Sequence, residues 1–293
     1  MRDTLSKPVT EKHTSTFETS HLRVGCCAMQ GWRKTMEDTH IVRLNLGDNK
    51  YKTFIAVFDG HNGSKVANYC REHLLEELMA TPEFKEGMYE AAYKKAFHSV
   101  DSKVGEIPAL RSEGGSAAIC IVLTEHEIIC ANAGDSRAVL YRGGEAIPLS
   151  TDHKPSASGE QERIIKAGGT VRYHRIDGNL AVSRAIGDFD YKENSDFSWE
   201  EQMVTAVPDV NRIEVEEADA FVVVACDGVW DVLSNDECCT FIEQNLRDTG
   251  GDIGLVCELV LDKCLAPRIQ VTGCDNMTIV IAQFKPDFFR SVS

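Results

Sequence analysis

The chain has 293 residues, a formal net charge of −15 at neutral pH, 43% hydrophobic residues and 26% charged ones. That is the composition of a globular protein long enough to bury a sizeable core. The acidic balance, without a basic stripe, excludes a nucleic-acid-binding surface, and no apolar run approaches the ~18 residues that cross a bilayer.

The start, Met1-Arg2-Asp3, carries no apolar signal region and no glycine for myristoylation, so no membrane attachment is expected. The eleven cysteines include the adjacent pairs Cys26-Cys27 and Cys238-Cys239 and form no C-x-x-C pattern. They read as reduced, mostly buried thiols of a cytoplasmic or nuclear protein. A monomer is expected.

Residues 1–20 are polar and read as an N-terminal arm. A single domain is expected over 21–286, with a short tail over 287–293. Leu22–Met29 and Thr39–Leu46 read as strands on either side of the turn Gln30–Asp38. Phe54–Phe58, wholly apolar, reads as a strand buried on both faces. It runs into Asp59-Gly60-His61, which puts a carboxylate, a glycine and an imidazole at a strand end. Val66, Cys70, Leu74 and Leu78 are spaced as one face of a helix over Ser64–Met79. Thr81-Pro82 opens a second helix, which is expected to continue to about Ser102.

A run of short strands follows: Ser116–Thr124, Glu127–Ala131, Arg137–Tyr141 and Glu145–Pro148, with hairpin joins at Glu125-His126 and Arg142–Gly144. Ser158-x-x-Gln161 and Ser234-x-x-Glu237 both have the form of a capping box. The first opens a helix ending at Gly168-Gly169, the second a helix to about Leu246. Tyr191–Val204 is polar and reads as a surface excursion. Phe221–Cys226 is a strand ending in Asp227-Gly228. Ile253, Val256, Cys257, Val260 and Cys264 stripe the last helix. Met277–Phe284 is a strand that begins just after Asp275-Asn276.

This order lacks strict βαβ alternation, and hairpins imply antiparallel pairing. The expected fold is α+β, with two antiparallel β-sheets packed face to face and flanked by helices on both sides.

Two strands carry acids at their ends, Asp59 and Asp227. Two carry them at their starts, Glu37-Asp38 and Asp275. Antiparallel pairing brings all of these to one rim, where ionised carboxylates repel unless cations lie between them. Oxygen donors without imidazole or thiolate suit Mg²⁺ or Mn²⁺. Arg33, four residues before Glu37, offers the fork that grips a phosphate dianion.

The motifs MQGWRKTMEDTH, FDGH, GDSRAVL, DHKP, AGG, LAVSRAIGDFDYK, CDGVWDVL and GCDNMTIVI follow one another in the order seen in a known family. Over roughly residues 22–284 the chain resembles the metal-dependent serine/threonine protein phosphatases of the 2C type. The resemblance implies hydrolysis of phosphoserine and phosphothreonine in phosphorylated proteins, using two Mg²⁺ or Mn²⁺ ions. Asp59 would bridge both. Asp227 and Asp275 complete the shell of the first ion, and Glu37 with the backbone carbonyl of Gly60 serves the second. Asp38 and Asn276 support this shell, Arg33 holds the phosphate, and His61 is the general acid for the leaving alkoxide. Asp135, with Asp227 and Asp231, resembles a weaker third metal site. Two ions ~3.5–4 Å apart activate a bridging water and clamp an in-line displacement, so no covalent intermediate is required.

One position departs from the family. Gly114-Gly115-Ser116-Ala117-Ala118 stands where the pattern has S-G-S-T-A, so Ala117 lacks a hydroxyl near the third site, and Ser116 is expected on the opposite strand face. Two other phosphatase chemistries fit less well. Cys27 and Arg33 match C-x5-R, but the loop between them has one glycine and no helix follows. Asp188-Phe189-Asp190 has the D-x-D form, but no apolar strand precedes it. A phosphoprotein-binding module without activity would need a lost ligand, and none is lost. Oxidation of Cys226 or Cys274, each beside a proposed ligand, would disturb the shell.

Overall fold

The computed structural model describes residues 4–47, 49–270 and 272–289. The first sheet contains β1 (Thr4–Glu18), β2 (Leu22–Arg33), β7 (Arg137–Arg142), β8 (Glu145–Pro148), β13 (Asp219–Ala225) and β14 (Met277–Phe284), in the spatial order β1-β2-β14-β13-β7-β8. The second runs β12-β6-β5-β4-β3, from β3 (Thr39–Arg43), β4 (Thr53–His61), β5 (Gly115–Leu123), β6 (Glu127–Ala133) and β12 (Asp209–Glu214), with β11 (Ile186–Gly187) added beside the start of β5. A separate hairpin joins β9 (Val171–Arg172) and β10 (Arg175–Ile176). All these pairings are antiparallel.

The two-residue side-chain period of the strands builds the layers. In β4, Ile55 and Val57 meet Ile119, Ile121, Val222, Val224 and Val280 between the sheets. The alternate residues Phe54, Ala56 and Phe58 face outward onto α1 (Lys65–Ala80) and α3 (Tyr89–Glu106). Val223, Ala225, Ile279 and Ile281 on the other sheet pack against α7 (Asn235–Asp248) and α8 (Ile253–Cys264). The four layers are helix, sheet, sheet, helix, as expected.

Several local expectations change. The polar arm is instead β1, which pairs with β2 from Thr4 to Glu18; residues 1–3 lie outside the described residues. It has no apolar face to betray it. It is an edge strand held by its ladder, by Thr14 donating to Glu258 (2.7 Å) and by Lys12 paired with Asp262 (2.7 Å). Its register slips on either side of Val9, next to Pro8, because proline removes a ladder donor and is tolerated only at such edges. The expected tail begins as part of the short helix α9 (Pro286–Phe289), whose Phe288 is fully buried against Phe284; residues 290–293 lie outside the described residues.

Thr81 caps as expected, accepting from Phe84 N. The helix it opens, α2 (Pro82–Lys85), stops before Gly87, whose φ of 74° breaks the chain's helical course ahead of α3. A further turn, α4 (Pro108–Arg111), follows α3. The Ser158 capping box does not form. Ser158 already lies inside α5 (Ser158–Lys166) and donates to Glu162 at 3.2 Å. The Ser234 box does form, with both reciprocal bonds. The 191–204 excursion is pinned at its base by buried Gln202 and Val204, and Trp199 stacks on His98 at 4.2 Å.

Candidate active site

Asp59 and His61 continue the face of β4 that looks between the sheets, so they emerge where the apolar filling of the sandwich stops. β3 runs antiparallel to β4, and β14 antiparallel to β13. The starts of β3 and β14 therefore lie beside the ends of β4 and β13, and the acids gather at one end of both sheets.

The two Asp-Gly pairs use the same device. A Cβ on Gly60 would stand 2.5 Å from the carbonyl oxygen of Glu37, and one on Gly228 would fall on the carbonyl oxygen of Asn276. Each glycine follows its aspartate and lets the backbone carrying the opposing acid pass against it. Gly228 lies in α6 (Asp227–Trp230), a single turn set off by Cys226.

Asn276 ties the two halves. Its Oδ1 accepts from Glu37 N (2.9 Å), and its Nδ2 donates to the carbonyls of Gln30 and Thr35 (both 2.9 Å). The loop bearing Arg33 and Glu37 is thus pinned to the start of β14. Buried Asp38 accepts from the Thr278 hydroxyl at 2.9 Å.

Carboxylate oxygens of Asp59, Asp135 and Asp227 all lie within 4.8 Å of one another, and Asp38, Asp59 and the Cys226 thiol form a second such group. Arg33 Nη2 donates to Asp275 Oδ2 at 2.5 Å, while the other oxygen of Asp275 accepts from Asn276 N at 2.8 Å. Glu37 accepts from the Thr35 hydroxyl (2.7 Å) and from Gly63 N (3.2 Å). Asp231 stands on the turn after Asp227, its N–H donating to the Asp227 carbonyl at 2.8 Å.

The electrostatics follow from the crowding. Burial raises the Asp59 carboxyl well above the ordinary range, and Asp227, Asp38, Asp135 and Asp275 raise it further. Burial, then Asp135, Asp275 and Asp231, do the same to Asp227 against the opposing charge of Lys154. Burial pushes Asp38 up to about 7, although its bonds with Cys226 and Thr278 oppose this. Taking carboxylates out of water beside other carboxylates disfavours their charged form. A divalent ion among them reverses that penalty.

Two residues at the site were given no role there from the sequence: Lys154 was not singled out, and Asp188 was weighed only within a rival D-x-D motif. Lys154, within the DHKP motif, is ion-paired to buried Asp135. Asp188 Oδ2 lies 2.6 Å from His61 Nε2. Burial lowers the proton affinity of His61, but the Asp188 carboxylate outweighs it, so the ring's pKa is raised above its ordinary value. The signal for Asp188 was present in the GDFDYK motif, but its distance in sequence from His61 hid the contact.

Ala117 pairs directly with Asp59 across β5 and β4 and shares its strand face, whereas Ser116 is turned away and donates to the Ala117 carbonyl at 2.8 Å. No serine hydroxyl replaces the missing threonine on that face.

The rival nucleophile Cys27 is fully buried in β2, and burial pushes its thiol up to about 11. A reactive thiolate needs the opposite environment. Cys226 is likewise fully buried, its thiol raised well above the usual range by burial, so it is closed to oxidants from solvent; Cys274 is partly exposed.

The family model for protein phosphatase 2C matches residues 22–272. The chain belongs to the protein phosphatase 2C family. It is 44% identical over 284 residues to a "Probable protein phosphatase 2C" of Caenorhabditis elegans, covering 96% of this chain and 80% of that one. It is 42% identical to "Protein phosphatase 2C homolog 2" of Schizosaccharomyces pombe, covering 97% of this chain and 79% of that one. A phosphatase crystal structure from Toxoplasma gondii superposes with a TM-score of 0.83 at 26% identity, over 94% of this chain and 96% of that chain. Among protein phosphatase 2C relatives, then, this chain has the family fold, and its acid rim is the candidate catalytic centre.

Proposed function

We propose that the protein hydrolyses phosphoserine and phosphothreonine in phosphorylated proteins, at the acid rim, with two Mg²⁺ or Mn²⁺ ions. The observation that carries this reading is the Asp59, Asp135 and Asp227 group, whose oxygens converge within 4.8 Å at the end of the sandwich. Its donors are oxygens, as hard divalent ions require. The Cys226 thiol beside it is held protonated by burial, and it accepts from Thr278 N at 3.2 Å in place of a ligand role.

Asp59 would serve both ions, Asp227 and Asp275 one of them, and Glu37 with the Gly60 carbonyl the other. Asp135 and Asp231 would complete a weaker third site with Asp227. When bound, the ions activate water for in-line attack on phosphorus.

The chain's own groups do the rest. Arg33 is held at the rim by Asp275 and can turn its fork to the phosphate. Asn276 keeps that arginine's loop in register. His61 gives a proton to the serine or threonine oxygen as it leaves, which is worth roughly 10²–10⁴-fold for a poor leaving group. A binding-only module is disfavoured because Arg33, Glu37, Asp59, Asp227 and Asp275 are all present. All eleven cysteines are free, which supports a reducing cytoplasmic or nuclear location. We take the working unit to be a monomer.

The deciding measurement is hydrolysis of a phosphothreonine peptide with Mg²⁺ or Mn²⁺ and with chelator. Activity that appears only with the metal supports the reading. Full activity in chelator overturns it.

A further inference from the structure

We propose that Asp188 is a positioning residue for proton transfer by His61, fixing the imidazole through Nε2 and leaving Nδ1 to face the leaving oxygen. This rests on the assignment of His61 as general acid made above.

The contact is built from three neighbouring strands. His61 pairs with Gly115 on one side of the start of β5, and Gly187 pairs with Gly115 on the other. Asp188 follows Gly187, so its carboxylate reaches over Gly115 to the ring. Gly115 makes the notch, since a Cβ there would fall on the Asp188 carboxylate. Gly114 makes its partner, since a Cβ there would fall on the His61 carbonyl oxygen.

The carboxylate is held as well as placed. Asp188 has a left-handed backbone (φ 53°, ψ 46°), which aspartate tolerates better than most residues, and its N–H donates to the Gly114 carbonyl at 3.1 Å. The preceding residue is anchored from α3: buried Asp101 accepts from Gly187 N at 2.8 Å and from Lys192 Nζ at 2.7 Å. The Asp188 side chain is only 3% exposed, against 23% for His61. One end of the histidine is therefore fixed in the protein, while its side chain keeps the greater exposure of the pair. A carboxylate that fixes one ring nitrogen orients the other for chemistry.

The proton balance is simple. As the P–O bond to the seryl or threonyl oxygen breaks, the Nδ1 proton passes to that oxygen. His61 becomes neutral, keeps its Nε2 proton against Asp188, and is reprotonated from solvent.

The test compares two substrates that differ in leaving group. D188N preserves the shape of the side chain. On a phosphothreonine peptide its kcat is expected to fall by about 10–100-fold, a part of the general-acid contribution. On p-nitrophenyl phosphate, whose phenolate leaves without a proton, kcat is expected to stay within about threefold. Mn²⁺ binding measured by calorimetry should be unchanged. In an H61A background, D188N should have no further effect on the peptide. If D188N fails to fold, D188S removes the carboxylate without added bulk and takes the same test. Equal loss on both substrates, no loss on either, or weakened Mn²⁺ binding overturns the positioning role. If H61A itself fails to distinguish the substrates, the fault lies in the general-acid assignment.

Discussion

Two clusters of acids in this protein have opposite electrostatics. At the rim, Asp38, Asp59 and Asp227 are all raised above the ordinary carboxylate range, burial first and neighbouring acids after it. Around α5, Glu160 is equally enclosed, and burial alone would raise it too. Yet Arg184, Arg163 and the Ser183 hydroxyl (2.6 Å) bring it down to about 2. Asp209 is lowered as well, first by its bond to His153 (3.0 Å) and also by Arg184 (2.7 Å). The two clusters meet at adjacent residues: His153 serves Asp209 while Lys154 serves Asp135. The α5 cluster carries its own cations and is complete as folded. The rim holds more acid than Arg33 and Lys154 neutralise, a charge imbalance that a bound cation would relieve. Enclosed carboxylates alone therefore do not point to a cation site; an uncompensated group of them does fit one.

The largest test of this contrast is Asp59→Asn. Removing the shared ligand should cut phosphopeptide turnover by more than about 10²-fold, since the metal-dependent part of such catalysis amounts to several kcal/mol. It should also weaken Mn²⁺ binding in a calorimetric titration. Retained turnover would remove Asp59 from the centre.

Glu160→Gln should act on stability instead. It removes the carboxylate charge that Arg163 and Arg184 share, leaving Arg184 with Asp209 and Arg163 with backbone carbonyls, and breaking a buried pair costs about 3–5 kcal/mol. Urea denaturation should show that loss, with Mn²⁺ affinity unchanged. A normal midpoint would mean that the Glu160 ion pairs do not hold the fold together.

Arg33→Ala should lower kcat/KM by roughly 10–100-fold, from the loss of a charge-assisted contact worth about 1.5–3 kcal/mol. Inhibition by free phosphate should weaken in parallel. A change in Mn²⁺ affinity without either effect would make Arg33 only a partner of Asp275.

The clusters should also titrate with opposite sign. Glu160, depressed when folded, contributes stability that is complete above its unfolded value near 4.5 and lost as pH falls through about 2. Asp38, raised when folded, holds a proton that the unfolded chain has already released. The metal-free protein should therefore lose stability as pH rises from about 4 to about 7. Thermal melts in chelator should show this decline, and added Mn²⁺ should raise the melting temperature more at pH 8 than at pH 5. An equal rise at both values would contradict the excess of acid at the rim.

The smallest effect is expected from Ala117→Thr. It restores a hydroxyl on the Asp59 face, but Ala117 packs closely on Gly134, so some overpacking strain accompanies the gain. Turnover and metal affinity should change less than about tenfold, or by under about 1.4 kcal/mol. A change of several orders of magnitude would show that this face of β5 governs the centre.

Much of the rim was legible because its residues sit at strand ends that local pattern marks plainly. FDGH and CDGVWDVL each couple an apolar run to an Asp-Gly, and the glycines prove to be where opposing backbones pass. β1 was not legible, since its polar residues carry no apolar alternation and its place depends on hydrogen bonds to β2 and α8. Ser158 had the letters of a cap, but the chain turned into the helix one residue earlier, at Ala157.

By itself, the sequence determined the alternation of apolar strands and striped helices, hence the two sheets between helices, and it determined which acids stand at strand ends. These are local properties, written in side-chain period and turn chemistry. Only the tertiary structure decided which charges meet. It joined His61 to Asp188 across 127 residues, Lys154 to Asp135 across 19, and Arg33 to Asp275 across 242. Such pairings depend on which strands lie side by side, and the Coulomb energy that shifts a proton or demands a cation depends on distance in space rather than along the chain.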